Sequence, residues 1–459
     1  MNNKYEIGII GLGTMGRNLL LNIADHDFSA IGFDKDISKV QLIQNEKKKT
    51  TNIDATQDVK VFLDCLRKPR AVLLLIPAGP AIDSVLSEVS PLLAPGDLVI
   101  DAGNSHFKDT DLREKSLADK KINFFGMGVS GGEAGARNGP SLMPGGNKIS
   151  YERVHKILEA IAAKVDGEPC VTYLGPSSSG HYVKMVHNGI EYGLMQLIAE
   201  TYYLMKTALK MSDDECSNIY SEWNKSELNS YLLEITSQIF LKKDEKTNKR
   251  LIDIILDVAK QKGTGKWTCQ YAMELQVPVP TIDAAVAARD LSTLETDRKK
   301  ANETLSEPKI NFSGDAKSYL SQLRNAYYAS LIITFAQSML LLQKASIIYH
   351  YDLDLESIAR IWRGGCIIRA AVLDPIMAAF HYSPKLPNLL FNSFFRGEIE
   401  KRQADLRSIV QSSASLGFPI PAMMASLAYY DGLRSAWLPA NLIQAQRDYF
   451  GAHTYERVD

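Results

Sequence analysis

The sequence predicts an α/β N-terminal domain, followed by a large all-α domain and a C-terminal tail. Over the first third of the chain, short apolar segments alternate with helical patterns, which is typical of a parallel sheet covered on both faces. Strand signals almost vanish after a small-residue segment at 174–180. From residue 437 onward, aromatic and charged side chains are too frequent for a disordered tail. We therefore expect domains at 1–177 and 178–436, and a tail at 437–459.

Length and composition limit the classes of protein. With 459 residues the chain is too long for one core, and 45% hydrophobic with 23% charged residues is typical of globular proteins. A net charge of -1 leaves no basic excess for a nucleic-acid partner, although a few converging cations can still bind a small anion. The longest apolar segment, 329–342, is interrupted by polar residues, so we expect no membrane partner.

The five cysteines are scattered and form no CxxC pair, which disfavours both a zinc site and a disulfide framework. The first residues run directly into a strand pattern, so we also expect no signal peptide. The sequence therefore predicts a cytoplasmic protein without a bound metal.

The predicted elements follow from hydrophobic periodicity. In the first domain a helix is predicted at 15–25, and strands are predicted at 7–10, 30–33, 71–76, 98–101 and 123–125. In the second domain the helical patterns lie at 181–210, 226–240, 250–260, 315–344 and 355–360.

A glycine-rich motif lies between the first predicted strand and the first helix. It reads Gly11-Leu12-Gly13-Thr14-Met15-Gly16. The first glycine permits a tight turn, the second lets the backbone approach a pyrophosphate, and the third lets the helix pack against the strand. In this strand–turn–helix–strand context the motif predicts a Rossmann-like, dinucleotide-binding domain.

The second predicted strand ends at Phe33-Asp34-Lys35-Asp36. Asp34 lies about 20 residues past the glycine motif, where an acidic side chain accepts hydrogen bonds from the adenosine ribose hydroxyls. A carboxylate at this point also repels a 2′-phosphate. The alternative is a solvated acidic residue in a turn.

Four polar side chains lie on one face of the helix predicted at 181–210. Lys184, His187, Asn188 and Glu191 are spaced i, i+3, i+4 and i+7, and most of their neighbours are apolar. Such a cluster is costly to bury unless it has a function, whereas an exposed polar face is the alternative.

Three glycine-rich segments favour the functional interpretation. The first, 101–105, follows the fourth predicted strand and carries Asn104. The second contains Ser130, Gly131 and Gly132, and the third covers 140–146. We expect these segments to be loops whose backbone N–H groups bind an anion; for each loop singly, a tight turn without a binding role is the alternative. Further cations that could bind an anion are Lys262, Arg289, Arg447 and His453.

Together these segments resemble the decarboxylating 6-phosphogluconate dehydrogenases. The resemblance spans essentially the whole chain, and a generic β-hydroxyacid dehydrogenase would share only the first motifs. The segments that carry the resemblance are 11–16, 101–105, 129–137, 139–148, 181–193, 261–268 and 446–456.

The resemblance implies a homodimer in which the tail of one subunit enters the site of the other. It also implies a reaction of the pentose phosphate pathway: oxidation of 6-phosphogluconate at C3, loss of CO₂ and formation of ribulose 5-phosphate, with NADP⁺ reduced. Lys184 is then the general base, which requires a lowered pKa, and Glu191 the acid that protonates C1, which requires a raised pKa.

The resemblance also implies roles for the binding residues. Asn104, His187 and Asn188 would orient the sugar hydroxyls, and Ser130, Gly131 and Gly132 would bind the carboxylate. The phosphate would be held by Tyr192, Lys262 and Arg289, and by Arg447 and His453 of the other subunit.

The predicted cofactor site departs from the family in two places. NADP-dependent members usually read Asn-Arg-Thr where this chain has Asp34-Lys35-Asp36. In the loop after the third predicted strand, Ile76-Pro77-Ala78, which we expect to contact the cofactor, Pro77 replaces a common lysine. Both changes remove positive charge, so the residues favour NAD⁺ or dual use where the resemblance favours NADP⁺.

Two other functions remain open from the sequence. A related β-hydroxyacid dehydrogenase would act on a non-phosphorylated acid, which Lys262, Arg289 and Arg447 disfavour. A non-catalytic dinucleotide-binding sensor would have lost Lys184 or Glu191, and both are present.

Overall fold

A computed structural model describes residues 4–47, 52–306, 308 and 311–459. An α/β domain with a seven-stranded sheet precedes a domain made almost entirely of helices, so the predicted fold class is confirmed. The strands are β1 (Ile7–Ile10), β2 (Ala30–Phe33), β3 (Ile53–Thr56), β4 (Ala71–Leu74), β5 (Leu98–Asp101), β6 (Asn123–Ser130), β7 (Ser141–Gly146), β8 (Lys164–Val165) and β9 (Glu168–Pro169).

The helices of the α/β domain alternate with its strands. They are α1 (Thr14–Asp25), α2 (Ile37–Lys47), α3 (Val59–Asp64), α4 (Pro80–Val89), α5 (Phe107–Ala118), α6 (Gly132–Asn138), α7 (Lys148–Glu152) and α8 (His155–Ile161).

The second domain begins with a long helix and continues through eleven more. They are α9 (Ser179–Thr207), α10 (Asp213–Trp223), α11 (Tyr231–Ile239), α12 (Thr264–Glu274), α13 (Pro280–Ser292), α14 (Glu295–Thr304), α15 (Ala316–Tyr349), α16 (Leu355–Trp362), α17 (Leu373–Tyr382), α18 (Ser393–Leu416), α19 (Pro421–Arg434) and α20 (Ala440–Gly451).

The strand order is β3-β2-β1-β4-β5-β6-β7, and the first six strands are parallel. β1 pairs with β2 on one side and with β4 on the other, so the order of the strands reverses there. Open α/β sheets bind ligands at the carboxyl ends of the strands beside such a reversal. The carboxyl ends of β1, β4 and β5 therefore locate the candidate site.

Two strands of the seven-stranded sheet were not predicted, and neither was the short pair β8 and β9. β3 at the edge of the sheet has the sequence Ile-Asp-Ala-Thr, in which every second side chain is only partly buried, so it lacks a continuous apolar pattern. β7 was predicted to be an anion-binding loop, and that prediction is wrong. Ser141–Gly146 is a fully buried strand antiparallel to β6, and its glycines made it resemble a loop.

One predicted helix is also wrong. The segment 250–260 contains only a short 3₁₀ turn, Leu251–Ile254. Its side chains at Ile254, Ile255 and Leu256 are exposed, and Ile252 packs only partly buried against the core. The segment therefore buries too little apolar surface to stabilise a helix. The other predicted helices of this domain are present with shifted ends.

The long helix α9 packs directly on the sheet because glycines line the contact. A Cβ atom on Gly145 would overlap the backbone of Gly180, and one on Gly180 would overlap the carbonyl of Met143. The start of α9 therefore lies backbone against backbone on β7. This contact brings the polar face of α9 to the edge of the sheet.

The core of the helical domain forms around α9 and α15. By length and hydropathy α15 is the one helix in the described part of the chain that could cross a membrane, but 67% of its most apolar window is buried inside the protein. Its apolar side chains thus form the interior of the helical domain.

Candidate active site

The glycine-rich turn has the geometry that the motif predicts. Gly11 has a φ of 98°, which favours glycine, and a Cβ on it would lie 2.5 Å from the carbonyl oxygen of Leu75. A Cβ on Gly16 would overlap the carbonyl oxygen of Gly11. Gly13, in contrast, faces open space, and no side chain caps the first turn of α1. The N–H groups in the first turn of α1 are positioned to bind a pyrophosphate, so the glycine-rich turn fits a dinucleotide.

Asp34 lies against this turn. Its Oδ2 accepts a hydrogen bond from the Leu12 N–H at 2.8 Å, and its Oδ1 accepts one from the Asp36 N–H at 2.9 Å. Lys39 Nζ is 3.4 Å from Asp34 Oδ2, and Lys35 is paired with Glu88 at 2.7 Å. Both lysines near the end of β2 are therefore already paired with carboxylates.

The loops after β4 and β5 lie beside the glycine-rich turn. A Cβ on Gly11 would be 2.6 Å from Ile76 Cγ2, and a Cβ on Gly103 would be 3.3 Å from the Ile76 carbonyl oxygen. Pro77 is exposed and Ala78 half-buried. The predicted cofactor residues of three separate segments are thus contiguous in space.

The polar face of α9 is buried, and loops of the α/β domain cover it. Lys184 Nζ lies 3.3 Å from His187 Nδ1, and His187 Nε2 lies 3.3 Å from Ser130 Oγ at the end of β6. Asn188 Nδ2 donates a hydrogen bond to Asn104 Oδ1 at 3.4 Å. The structure therefore brings residues of both domains together around Lys184, and the alternative of a solvated helix face is wrong.

Gly128 on β6 leaves the space that the Lys184 side chain occupies. A Cβ on Gly128 would overlap Lys184 Cβ, so only glycine lets the lysine stem lie flat on the strand. Trp362 packs edge-on to the His187 ring with 5.7 Å between centroids, and the buried Cys366 also lies near Lys184. Sequence reasoning missed these three residues, because their contacts join segments that are distant in the chain.

Burial sets the protonation of this cluster. Lys184 is 5% exposed, and burial lowers the pKa of its ammonium, against the opposing effect of Glu191. Burial also raises the pKa of Glu191, although Lys184 and Arg289 partly oppose the shift. The pKa of His187 lies well below its usual value because of burial and the nearby Lys184, so the imidazole is neutral. Burial thus shifts the pKa of the lysine and that of the carboxyl group in the directions that a general base and a general acid require.

A second group of polar residues extends the site along α9. The guanidinium carbon of Arg289 lies 3.6 Å from the ring centroid of Tyr192. A Cβ on Gly265, in the first turn of α12, would overlap the same ring. Gly263 directly before α12 has no side chain that could cap the helix, and Lys262 is exposed just before that glycine. Two cations and free N–H groups could hold a phosphate here.

The remaining predicted residues divide into two sets. Gly131 and Gly132 have φ values of 110° and 61° and lie where β6 turns into α6, next to Ser130. Arg447 and His453 lie elsewhere: they belong to the exposed tail, and Arg447 donates a hydrogen bond to Gln444. Within one subunit the structure does not bring them to Lys184.

In the described part of the chain, no group of three or more His, Cys, Asp or Glu side chains could hold a metal ion. The fold and the site are those of a dinucleotide-dependent dehydrogenase, with a cluster of polar side chains on a helix of its second domain. Two family models match: "NAD binding domain of 6-phosphogluconate dehydrogenase" over residues 6–175, and "6-phosphogluconate dehydrogenase, C-terminal domain" over 180–459. The chain belongs to the 6-phosphogluconate dehydrogenase family.

Individual relatives match over nearly their full length. The chain is 50% identical to the NADP(+)-dependent, decarboxylating 6-phosphogluconate dehydrogenase of Bacillus subtilis, covering 100% of this chain and 97% of the relative. It is also 50% identical to the decarboxylating enzyme of Synechococcus elongatus, over 99% and 97%. The Plasmodium falciparum 6-phosphogluconate dehydrogenase, solved in its apo form and in complexes with NADP⁺ and with 6-phosphogluconate, superimposes with a TM-score of 0.95 at 45% identity, over 99% and 98%.

Proposed function

We propose that the chain oxidises and decarboxylates 6-phosphogluconate to ribulose 5-phosphate and CO₂, with NADP⁺ as the cofactor, in the pentose phosphate pathway. The observation that carries the proposal is the buried pair on α9. Lys184 has a lowered pKa and Glu191 a raised pKa, in a site formed by both domains. The names of the Bacillus subtilis and Plasmodium falciparum relatives support the substrate and the cofactor.

The chain's own residues supply the acid–base steps. NADP⁺ bound at the glycine-rich turn would accept the hydride. Neutral Lys184 takes the proton of the C3 hydroxyl group, and the resulting 3-keto acid loses CO₂. The protonated lysine then stabilises the negative charge that develops on the C3 oxygen. Protonated Glu191 delivers a proton to C2 of the former 6-phosphogluconate, the carbon that lost CO₂ and that becomes C1 of ribulose 5-phosphate.

The binding residues complete this proposal. Asn104, His187 and Asn188 orient the sugar hydroxyl groups, while Ser130, Gly131 and Gly132 bind the carboxylate. Tyr192, Lys262 and Arg289 hold the phosphate. The contacts that support these roles are those of His187 with Ser130, of Asn188 with Asn104, and of Arg289 with Tyr192.

The tail belongs to the same proposal. We place Arg447 and His453 in the site of a partner subunit, as part of a homodimer. The tail supports this role because no residue of α20 is buried, and Tyr449 and Phe450 are 95% and 73% exposed. Large apolar side chains exposed in this way are typical of an interface. The tail at 437–459 is then a third unit beside the dinucleotide domain (1–177) and the helical domain (178–436).

The cofactor proposal includes NAD⁺ as a second acceptor. Asp34 is held against the glycine-rich turn by the Leu12 N–H, where the adenosine ribose would lie, and Lys35 and Lys39 are paired with carboxylates. The residues of the cofactor site are Gly11, Leu12, Gly13, Thr14, Met15, Gly16, Asp34, Lys35, Asp36, Ile76, Pro77, Ala78 and Asn104. The five free cysteines support a cytoplasmic location.

Initial rates with 6-phosphogluconate and with gluconate test the function. We expect turnover of 6-phosphogluconate only, because gluconate leaves the phosphate-binding residues unpaired. Lys184→Met removes the base without leaving a cavity and should lower kcat by about 10² to 10⁴-fold. Lys206→Met, near the other end of α9, is the matched control. Equal rates with both acids, or an active Lys184→Met variant, would contradict the proposal.

A further inference from the structure

A buried carboxylate shapes the loop that carries Asn104. Asp101 ends β5 and is fully buried. Its Oδ1 accepts a hydrogen bond from the Gly103 N–H at 3.0 Å, and its Oδ2 accepts one from the Ser105 hydroxyl at 2.6 Å. The loop therefore folds around Asp101, and this fixes the direction in which Asn104 points. Asn104 in turn accepts the hydrogen bond from Asn188 on α9.

One guanidinium group joins this loop to the loop after β4. Arg113 on α5 is 6% exposed. Its Nη1 donates to Asp101 Oδ2 at 3.4 Å and to Ser105 Oγ at 3.3 Å. Its Nη2 donates to the Gly79 carbonyl oxygen at 3.2 Å, directly after Ile76-Pro77-Ala78. The Nε donates to Asp83 at 2.7 Å, so every nitrogen of the group has an acceptor.

The geometry requires arginine specifically. The planar guanidinium presents donors in fixed directions, whereas a lysine donates from a single point and cannot reach both loops in the same way. Gly79 has a φ of 85° and immediately precedes α4, so its carbonyl direction is defined by the turn. Arg113 thus holds two loops at a fixed separation, beside the place where the hydride would be transferred.

A second buried Arg–Asp pair lies at the other ends of β4 and β5, where these strands begin. Arg70 precedes β4 and Asp97 precedes β5, and their side chains lie 2.9 Å apart at 6% and 1% exposure. Asp97 Oδ1 also accepts the Arg70 N–H, and Arg70 Nε donates to the Leu63 carbonyl. The chemistry and burial match those of Arg113 and Asp101, but the amino ends of parallel strands do not bind ligands.

We propose that Asp101 and Arg113 are positioning residues for the reaction. They fix the position of Asn104 relative to the loop Ile76-Pro77-Ala78, so that the substrate hydroxyl groups and the cofactor meet at Lys184. This inference rests on the proposed function. The two ion pairs then have different roles. The pair Arg113–Asp101, at the carboxyl ends of the strands, supports both folding and turnover, whereas the pair Arg70–Asp97, at their amino ends, supports folding only.

The test compares Arg113→Gln with Arg70→Gln. Both variants should lower Tm by similar amounts, because each leaves a buried aspartate unpaired. Arg113→Gln should lower kcat by about 10 to 100-fold, since a displacement near 1 Å in a site has effects of that size. Arg70→Gln should keep kcat within about threefold of the wild type, a change too small to indicate displaced reacting groups. Arg113→Lys should give an intermediate kcat.

A double-mutant cycle shows whether Arg113 acts through Asn104. If it acts partly through Asn104 and partly through the loop Ile76-Pro77-Ala78, adding Arg113→Gln to Asn104→Ala should slow the enzyme by a smaller factor than Arg113→Gln slows the wild type. Multiplied effects, or equal kcat values for Arg113→Gln and Arg70→Gln, would overturn the inference. If Arg113→Gln does not fold, Ser105→Ala removes only the hydroxyl between the pair and replaces it in the cycle, with the same criterion. A wild-type enzyme that does not oxidise 6-phosphogluconate would instead reject the proposed function, and the inference with it.

Discussion

At the scale of single residues, the site depends on glycines, because their lack of a side chain leaves room for neighbouring functional side chains. Gly128 leaves room for the stem of Lys184, and Gly265 leaves room for Tyr192. In both cases a methyl group would overlap a residue that we place in the reaction. The lysine can therefore be buried without a cavity around it, and burial is the main cause of its lowered pKa. The contacts that pack Lys184 closely are thus the same contacts that bury it and lower its pKa.

Asp34 carries the prediction about cofactor preference. We expect the wild type to reduce both NAD⁺ and NADP⁺. Asp34→Asn removes the negative charge but keeps an oxygen for the Leu12 N–H. The ratio of kcat/KM for NADP⁺ over NAD⁺ should therefore rise at least about tenfold, since a charge removed near the 2′-phosphate is worth more than about 1.4 kcal/mol. Initial rates with each cofactor give the ratio.

The matched control is Asp36→Asn. Asp36 belongs to the same proposed cofactor site, but its carboxylate is exposed and accepts hydrogen bonds from the Ser38 N–H and hydroxyl. Its removal should therefore change the ratio less than the removal of Asp34, by under about threefold, as for a screened surface charge. Dual use is rejected if the wild type fails to reduce NAD⁺. An Asp34→Asn variant with an unchanged ratio would show that Asp34 does not set the preference.

At the scale of helices, Glu200 links α9 to α19 near the end of the helical domain. Its two carboxylate oxygens accept hydrogen bonds from the N–H groups of Ala422 and Met423, at 2.7 and 2.9 Å. No residue preceding α19 caps that helix with a side chain, so Glu200 on α9 does so from 222 residues away. Burial raises the pKa of Glu200 to about 7, although the hydrogen bonds it accepts oppose the shift.

This pKa gives a prediction for stability. Because the folded protein holds the Glu200 proton more tightly than the unfolded chain, its contribution is complete below about pH 4.5 and is lost as the pH rises through 7. The loss amounts to at most about 3 kcal/mol. Glu200→Gln should flatten the fall in unfolding free energy between pH 5 and pH 8 (a window of about three units around the pKa). Urea unfolding at several pH values measures it.

Glu215→Gln is the control for Glu200. Glu215 completes the capping box of α10 at the surface, and hydrogen bonds from Ser212 lower its pKa. Its variant should leave the slope between pH 5 and pH 8 unchanged, because Glu215 is already ionised there. Equal slopes for the wild type and Glu200→Gln would show that Glu200 does not titrate in this range.

The elements differ in how far the sequence could predict them. Periodicity was sufficient for α9 and α15, because a long helix repeats its apolar pattern many times. It failed for β7, since Ser141–Gly146 is buried through contacts with β6 and α9 that no local pattern records. The polar face of α9 was predicted from spacing alone, whereas its burial depended on loops of the other domain.

At the scale of the whole molecule, the tail is the segment that does not pack into a hydrophobic core of its own chain. α20 exposes Leu442, Ile443, Tyr449 and Phe450. The hydrogen bonds described for Gln444 and Thr454 connect tail residues to each other. A partner subunit that buries these side chains would account for the order of the tail.

A mixing experiment tests the shared site. Lys184→Met and Arg447→Ala homodimers should each be inactive. Co-expression in equal amounts should restore about one quarter of wild-type activity, because half of the dimers are mixed and each mixed dimer has one intact site. Mixing Lys184→Met with Glu191→Gln is the control and should restore nothing, because both defects lie in a subunit's own contribution to its site. Absence of restoration in the first mixture would contradict the exchange of tails.

The sequence by itself determined the class of fold, the glycine-rich turn and the polar face of α9, because each depends on residues close together in the chain. Only the tertiary structure decided that Lys184 is buried on Gly128, that β7 is a strand and that Arg113 joins two loops. These features arise where segments distant in sequence meet. Packing and desolvation at such contacts depend on both partners, and no local pattern contains both.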